Sequence, residues 1–327
     1  MGALEGLAFG LGVALKPDNL LYCFLGVTLG TLVGVLPGLG PVAAISLLLP
    51  TTFQMTPESA FIMLSGIYYG SMYGGSTTSI LVNIPGEAAS VVTCLDGYAM
   101  ARQGRAGPAL AISAIGSFIG GTVSVAGLML AAPPLAALAL SFGPPEYFAL
   151  MVVGFAILAF LSGTSMLKSL LMGAVGILLG TVGVDTISGA SRFVYGVPEL
   201  LDGVGIVPVA MGLFGVGEVL TNVEQRLTRD VFVERVGRLW PSREDWRRSA
   251  GAVARGTGIG FLLGLLPGGG TIIASFAAYG VERRLSREPE RFGRGAIEGV
   301  AAPETANNAA TGSAFIPMLT LGIPAAP

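Results

Sequence analysis

The sequence predicts an all-α, polytopic membrane protein, and three observations carry that prediction. Of 327 residues, 52% are hydrophobic and only 12% charged, with a mean hydropathy of +0.74. Soluble domains carry roughly 25% charged residues. Several windows approach or exceed the ~18 apolar residues that can cross a bilayer. The basic residues, finally, gather in two loops, as charge sorting across a membrane requires. The ~10-residue alternation of an outer-membrane barrel is absent, which leaves helices to satisfy the backbone in lipid.

In chain order, residues 1–19 lack the basic opening of a cleaved signal and read as a short surface or entry helix. Stretch 30–50, GTLVGVLPGLGPVAAISLLLP, is apolar but broken at Pro37. Crossings are predicted at 59–83, 108–131, 147–161, 167–184 and 204–220. Eight of the 18 Lys and Arg lie in 226–255 and five in 283–294, and positive charge marks the cytoplasmic side. With 226–255 inside, 185–203 and the base-free 133–145 fall outside, while Arg102, Arg105 and Lys168 fall inside.

The apolar segment 256–281 then lies between two loops that both belong inside. At GLLPGGGTIIASF it is split by Pro267, Gly268, Gly269 and Gly270. Arms of about 11 residues, ~16 Å each as helix, are too short for a ~30 Å core. A re-entrant hairpin turning at 267–270 resolves both constraints, since irregular backbone is tolerated at membrane depth only inside protein. One kinked spanning helix is the simpler alternative.

The same G-x-L-P-G-x-G device occurs at Gly34–Gly40 and Gly264–Gly270, so that Pro37 corresponds to Pro267. YGGSTTSILVNIPGEAA from Tyr73 is echoed by ATGSAFIPMLTLGIPAAP from Ala310, each running into an Ile-Pro pair, Ile84-Pro85 and Ile323-Pro324. Paired broken helices separated by an odd number of crossings predict inverted repeats. The first repeat with its cytoplasmic loop would be 1–250, and 251–327 the start of a second, incomplete one. For any single glycine among the 50, close helix packing is the plainer explanation.

Composition also excludes chemistry. With no histidine, His-ligated metals and Ser-His-Asp triads are out of reach. Cys23 and Cys94 form no CxxC and read as filler. No GxSxG and no paired intramembrane aspartates point to a protease. No enzymatic activity, organic cofactor or nucleic-acid partner is expected.

At GVLPGLGP, GIYYGSMYGGSTTSILVNIPG, LDGYAMARQGRAGPAL, GLLPGGGTIIASFAAYGVERRLS and PERFGRGAIEGVAAPETANNAATGSAFIPMLTLGIP, the chain resembles the large membrane subunit of the tripartite tricarboxylate transporters, the TctA-type protein. The resemblance runs through nearly the whole chain. It implies a bacterial inner-membrane permease working with a small four-helix membrane subunit and a periplasmic solute-binding protein. Such a permease would use an ion gradient, typically sodium, to take up citrate or related tri- and dicarboxylates. The chain departs from the family in stopping at Pro327, inside the second Ile-Pro motif, and in reading GIPAAP where a glycine usually follows the proline. A fragment or truncated product is therefore expected, with a transport-incompetent or channel-like subunit as the alternative function.

A carboxylate substrate usually calls for arginine, yet no Lys or Arg lies in either broken segment or in 74–86. Backbone N–H groups and the helix dipole at the start of each second arm take that role, at Gly38 and Gly40 and at Gly268, Gly269, Gly270 and Thr271, with Pro37 and Pro267 making the breaks that free them. Ser76, Thr77, Thr78, Ser79 and Asn83 add hydroxyl and amide partners, with Pro85 and Gly86 at the adjoining break. Glu304, Asn307, Asn308 and Thr311 form the candidate ion-coupling set, with sodium as the coupling ion. The position of Glu304 after Pro303 also suits a helix start. Glu87 reads as a turn cap or a substrate neighbour, and Tyr68, Tyr69 and Tyr73 as substrate contacts or aromatic packing. Asp96, Arg102 and Arg105 read as members of loop salt bridges, and the arginine-rich loops as topology determinants and contacts to membrane lipid.

Overall fold

The computed structural model describes residues 3–36, 40–139, 165–184, 189–204, 211–217, 236–265 and 270–321, with isolated positions between them. Helices dominate: α1 (Ala3–Ala14), α2 (Pro17–Val35), α3 (Pro41–Leu48) continuing as a 3-10 turn (Leu49–Gln54), and α4 (Pro57–Val82). A connector follows, with a 3-10 turn (Ala88–Ser90), α5 (Val91–Thr93), a π-helical turn (Cys94–Tyr98) and α6 (Ala99–Arg102). Then come α7 (Ala106–Ala139), α8 (Met166–Gly180), α9 (Arg243–Gly264), α10 (Gly270–Leu285) and α11 (Glu298–Leu321). Among the described residues the one sheet is a two-stranded antiparallel ribbon, Gly183–Val184 against Ser191–Arg192.

Three predicted crossings fall on α4, α7 and α8. Most of the crossing at 147–161 and part of that at 204–220, where a π-helical turn (Met211–Val216) is described, lie outside the described residues, as do the two prolines at which the helices break. The ends of α4 follow its sequence. Thr56 caps it by accepting from the Ser59 N–H at 3.3 Å, Pro57 opens the first turn, and Asn83 closes it in the left-handed conformation, φ 56°.

The N-terminal quarter keeps the short first helix, as α1, and the interruption between α2 and α3, but the helix before the interruption is longer than the apolar stretch 30–50 suggests. α2 is a continuous helix of 19 residues, long and apolar enough to cross a membrane, a property it shares with α7 among the described residues. Lys16, Asp18 and Asn19 disguise its beginning. Asn19 is nonetheless buried, because its amide donates to the Val13 carbonyl at 2.8 Å and accepts from the Ser59 hydroxyl at 2.6 Å. Phe24, Leu32, Phe118 and Leu130 stand exposed on the outer faces of α2 and α7, as lipid-facing residues would.

Glycine stripes set the packing. A Cβ on Gly26, Gly30 or Gly34 of α2 would overlap the backbone of Met63, Ile67 or Ser71, and Gly70 and Gly74 of α4 are pressed as closely onto Val27 and Thr31. Both series rise together, so α2 and α4 run parallel with their backbones in contact. The arrangement recurs in α9, where Gly256, Gly260 and Gly264 meet Ala302, Ala306 and Ala310 of α11, again in parallel. Between the members of each pair lies a return arm, α3 in the first case and α10 in the second.

α9 and α10 form a hairpin. A Cβ on Gly270 would lie 2.8 Å from the Leu263 carbonyl, while Arg255 and Glu282 clasp each other through two hydrogen bonds of 2.5 and 2.8 Å. The helix starts earlier than the apolar segment, at Arg243, because Ser242 and Asp245 cap each other across the first turn. Arg105 pairs with that same Asp245 at 2.5 Å, a salt bridge between the connector and α9. The main core lies where Ile80, Met100, Ile112, Ile297 and Val300 meet the alanines of α11.

Candidate functional site

α11 is the axis of the site. Ala301, Ala302, Ala306, Ala309 and Ala310 are fully buried and let neighbouring backbones approach. The intervening polar residues Glu304, Asn307, Asn308 and Thr311 follow helical spacing and share a face. None is more than 3% exposed. Glu304 lies in the second turn of a helix that begins at Glu298. It therefore does not cap a helix start, and Pro303 is an interior proline.

The Glu304 carboxylate accepts hydrogen bonds from Thr93 of α5 and from Ser113 of α7, the latter at 3.0 Å. The ion pairs found among the described residues do not include it. A buried carboxylate with only hydroxyl donors needs a proton or a cation to balance it. One turn on, Asn308 donates to Ser117 at 2.8 Å and to the Glu304 carbonyl at 3.1 Å. Asn307 reaches Glu87 at 3.4 Å through its amide nitrogen, and its side-chain oxygen Oδ1 is buried without a partner. Thr311 donates to the Asn307 backbone carbonyl at 2.9 Å. Glu87 caps the Ala88–Ser90 turn, accepting from the Ala89 N–H at 2.5 Å.

α4 supplies the opposite wall. Phe61 near its start meets Phe315 near the end of α11, ring centroids 5.4 Å apart, whereas Glu87 beyond its end meets Asn307. The two helices therefore cross antiparallel. Ser76, Thr77, Thr78 and Ser79 all donate back to carbonyls of α4 at 3.0–3.2 Å. Their protons are committed and their lone pairs remain. Ser76, Thr78 and Ser79 are buried, Thr77 is half-buried, and Asn83 is exposed at the end of the helix. Gly86 is wedged against Gly34 and Gly75, tying the Ile-Pro break to both helices, with Pro85 half-buried before it.

The helix starts are placed only in part. Gly40 holds extended backbone before α3, with open space where a Cβ would stand. Gly270 and Thr271 are buried at the start of α10. Pro37, Gly38, Pro267, Gly268 and Gly269 lie outside the described residues.

Sequence reasoning missed Thr93, Ser113 and Ser117. The two serines, one helical turn apart in an otherwise apolar crossing, were the available signal. Asp96, read from sequence as a member of a loop salt bridge, instead accepts from the N–H groups of Gly293, Gly295 and Ala296 at 2.7–2.9 Å and from the Tyr279 hydroxyl at 3.0 Å.

Residues 20–327 match the family described as the tripartite tricarboxylate transporter TctA family. The chain belongs to the TctA family. Family members are membrane transporter subunits, which accounts for the apolar outer faces and the near absence of strand. Among relatives of this TctA-family chain, an uncharacterized 52.8 kDa protein in the TAR-I ttuC' 3' region of Agrobacterium vitis is 57% identical over all of this chain and 65% of its own length. An uncharacterized protein in the TAR-II ttuC' 3' region of the same organism is 68% identical over 68 residues, 21% of this chain and 28% of its own. The chain thus spans 65% of the length of the first relative. No solved structure matches it.

Proposed function

We propose that this chain forms the ion-coupled core of a binding-protein-dependent permease that takes up citrate or related tri- and dicarboxylates across the bacterial inner membrane, with sodium as the coupling ion. Its partners would be a periplasmic solute-binding protein that delivers substrate and a small four-helix membrane subunit. The observation that carries this reading is the buried face Glu304–Asn307–Asn308–Thr311, with an unmatched carboxylate and a spare carbonyl oxygen.

The chemistry divides between two charges. Ser76, Thr78 and Ser79 have spent their protons on their own helix and offer lone pairs, which suit a cation. One carboxylate with neutral oxygens fits a monovalent ion, and no cluster of three or more acidic or cysteine ligands lies among the described residues. A co-bound cation would in turn offset the charge of a substrate that meets no arginine. Two parallel pairs, α2 with α4 and α9 with α11, joined by antiparallel α4 and α11, support an inverted repeat.

Reconstitution in proteoliposomes with both partners tests the function. Accumulation of radiolabelled citrate or succinate that depends on an imposed inward sodium gradient is expected. Downhill equilibration indifferent to that gradient would favour the channel-like alternative, and no movement a transport-incompetent unit.

A further inference from the structure

A substrate with several carboxylates needs hydrogen-bond donors, and the hydroxyls of Ser76, Thr77, Thr78 and Ser79 are already spent on their own helix. Three other buried hydroxyls of α4 have no such partner, those of Ser71, Tyr68 and Tyr69. The Tyr68 and Tyr69 oxygens on α4 are buried and have no hydrogen-bond partner. Thr311 and Ser124, which face them, give their own protons to the backbone carbonyls of Asn307 and Gly121, so neither has a proton left for a phenol oxygen. A buried phenol left unpaired costs about 1–3 kcal/mol, so a fold that holds two beside each other implies something that pairs with them.

Their position points the same way. The carbonyls of Met63, Ile67 and Ser71 receive the glycines of α2, and those of Ala302, Ala306 and Ala310 receive the glycines of α9. The two series match at one constant spacing, which also separates Ile84-Pro85 from Ile323-Pro324. In that register Tyr68 and Tyr69 are the counterparts of Asn307 and Asn308. Asn307 carries a further unpartnered atom, its side-chain oxygen, an acceptor. The α4 side thus offers free donors, and the α11 side a free acceptor. Phe61 and Phe315 close the Tyr68 side, with Phe315 packed edge-on against the Tyr68 ring at 6.3 Å. A cavity of about 350 Å³ opens onto Tyr69, Ser117 and Gly121.

We infer that Tyr68 and Tyr69 are the hydrogen-bond donors that hold a carboxylate group of the transported anion, beside a cation on the Asn307 side-chain oxygen. The inference rests on the permease reading above. Each phenol would donate to one carboxylate oxygen. The negative charge would be balanced by the neighbouring cation instead of an arginine, and sites so built select carboxylates over uncharged analogues.

The test is uptake of radiolabelled citrate and succinate by the reconstituted permease with its partners, comparing wild type with Tyr68→Phe and Tyr69→Phe. Phenylalanine keeps the ring and its packing, and removes only the hydroxyl. The substrate concentration for half-maximal uptake should rise about tenfold in each variant, the factor for losing one hydrogen bond to a charged group. The sodium concentration for half-maximal uptake should stay near wild type, and the thermal midpoint in substrate-free detergent should hold or rise, since the variant no longer buries an unpaired hydroxyl. Transport by wild type with unchanged substrate dependence in both variants overturns this inference alone. A shift confined to sodium dependence also overturns it, by assigning the tyrosines to the cation. Transport of neither carboxylate by wild type counts against the permease reading itself, and this one with it.

Discussion

Asp96 sits in the π-helical turn of the connector, fully buried, and takes hydrogen bonds from three backbone amides of the loop between α10 and α11. Gly293 and Gly295 adopt φ of 81° and 101°, which turns their N–H groups toward it. Asp96→Ala would leave those amides unpaired in the interior and should cost about 3 kcal/mol or more. Asp96→Asn keeps one acceptor oxygen and should lose less than half as much, with thermal unfolding in detergent as the measurement. A residue of this kind is invisible in sequence, because its partners follow nearly two hundred positions later and are backbone atoms. Glu304 was legible by contrast, since an acidic residue in an apolar stretch is conspicuous by type alone, although its partners Thr93 and Ser113 were not. The two asparagines separate on the same physical ground. Asn308 spends its amide on Ser117 and the Glu304 carbonyl, whereas Asn307 keeps a free oxygen. Asn307→Ala should therefore raise the sodium concentration needed for half-maximal uptake about tenfold, the change expected for losing one charge-assisted contact. Asn308→Ala should act mainly on thermal stability.

At the scale of the element, the glycine stripes decide which helices can touch. A Cβ at Gly30 or Gly260 meets main-chain atoms of Ile67 or Ala306, and main chain cannot step aside as a side chain can. Gly30→Ala and Gly260→Ala should each destabilise by about 1–3 kcal/mol, as overpacking does. Gly10→Ala in α1 and Gly176→Ala in α8, with nothing within 4 Å of the new methyl, should instead be neutral or stabilising by up to ~1 kcal/mol, since alanine favours helix. Paired thermal midpoints of the four variants check this. The sequence announced α4, α7 and α8 because their apolar stretches are long and their ends carry caps or polar residues. It hid α2, because hydropathy treats Asp18 and Asn19 as exposed. In the fold, Asp18 lies in the first turn, where the helix dipole favours an acid, and Asn19 is satisfied by Val13 and Ser59. The glycine spacing of α2 and α9 was legible as packing, yet which helices it joined required the third dimension.

For the whole molecule, the direction of each segment ties charge to architecture. Arg255 and Glu282 lie at corresponding heights on the two arms of the α9–α10 hairpin, and the arginines that flank it, from Arg243 to Arg248 and from Arg283 to Arg294, emerge on one side. There Arg248 bridges Glu298 at 2.6 Å and Glu288 at 3.2 Å, and Arg291 reaches Glu288 at 2.8 Å. The Arg291 and Arg248 guanidiniums hold the Glu288 carboxyl below its ordinary range. Such a network, rich in exposed charge, belongs in water, and by the positive-inside rule its excess of arginine predicts the cytoplasmic face. The ribbon around Ser191, reached after α8 and poor in bases, then belongs on the opposite face. With Cys23 and Cys94 first replaced by alanine, Ser191→Cys in intact cells should react with an impermeant maleimide. Ser286→Cys should stay unlabelled there and react only in inverted membrane vesicles. Labelling of Ser286→Cys from outside would mean that the chain crosses the membrane between Gly256 and Leu285. In that case the Arg255–Glu282 clasp could not form, the α9–α10 pair would be one kinked span, and the second unit would no longer oppose the first.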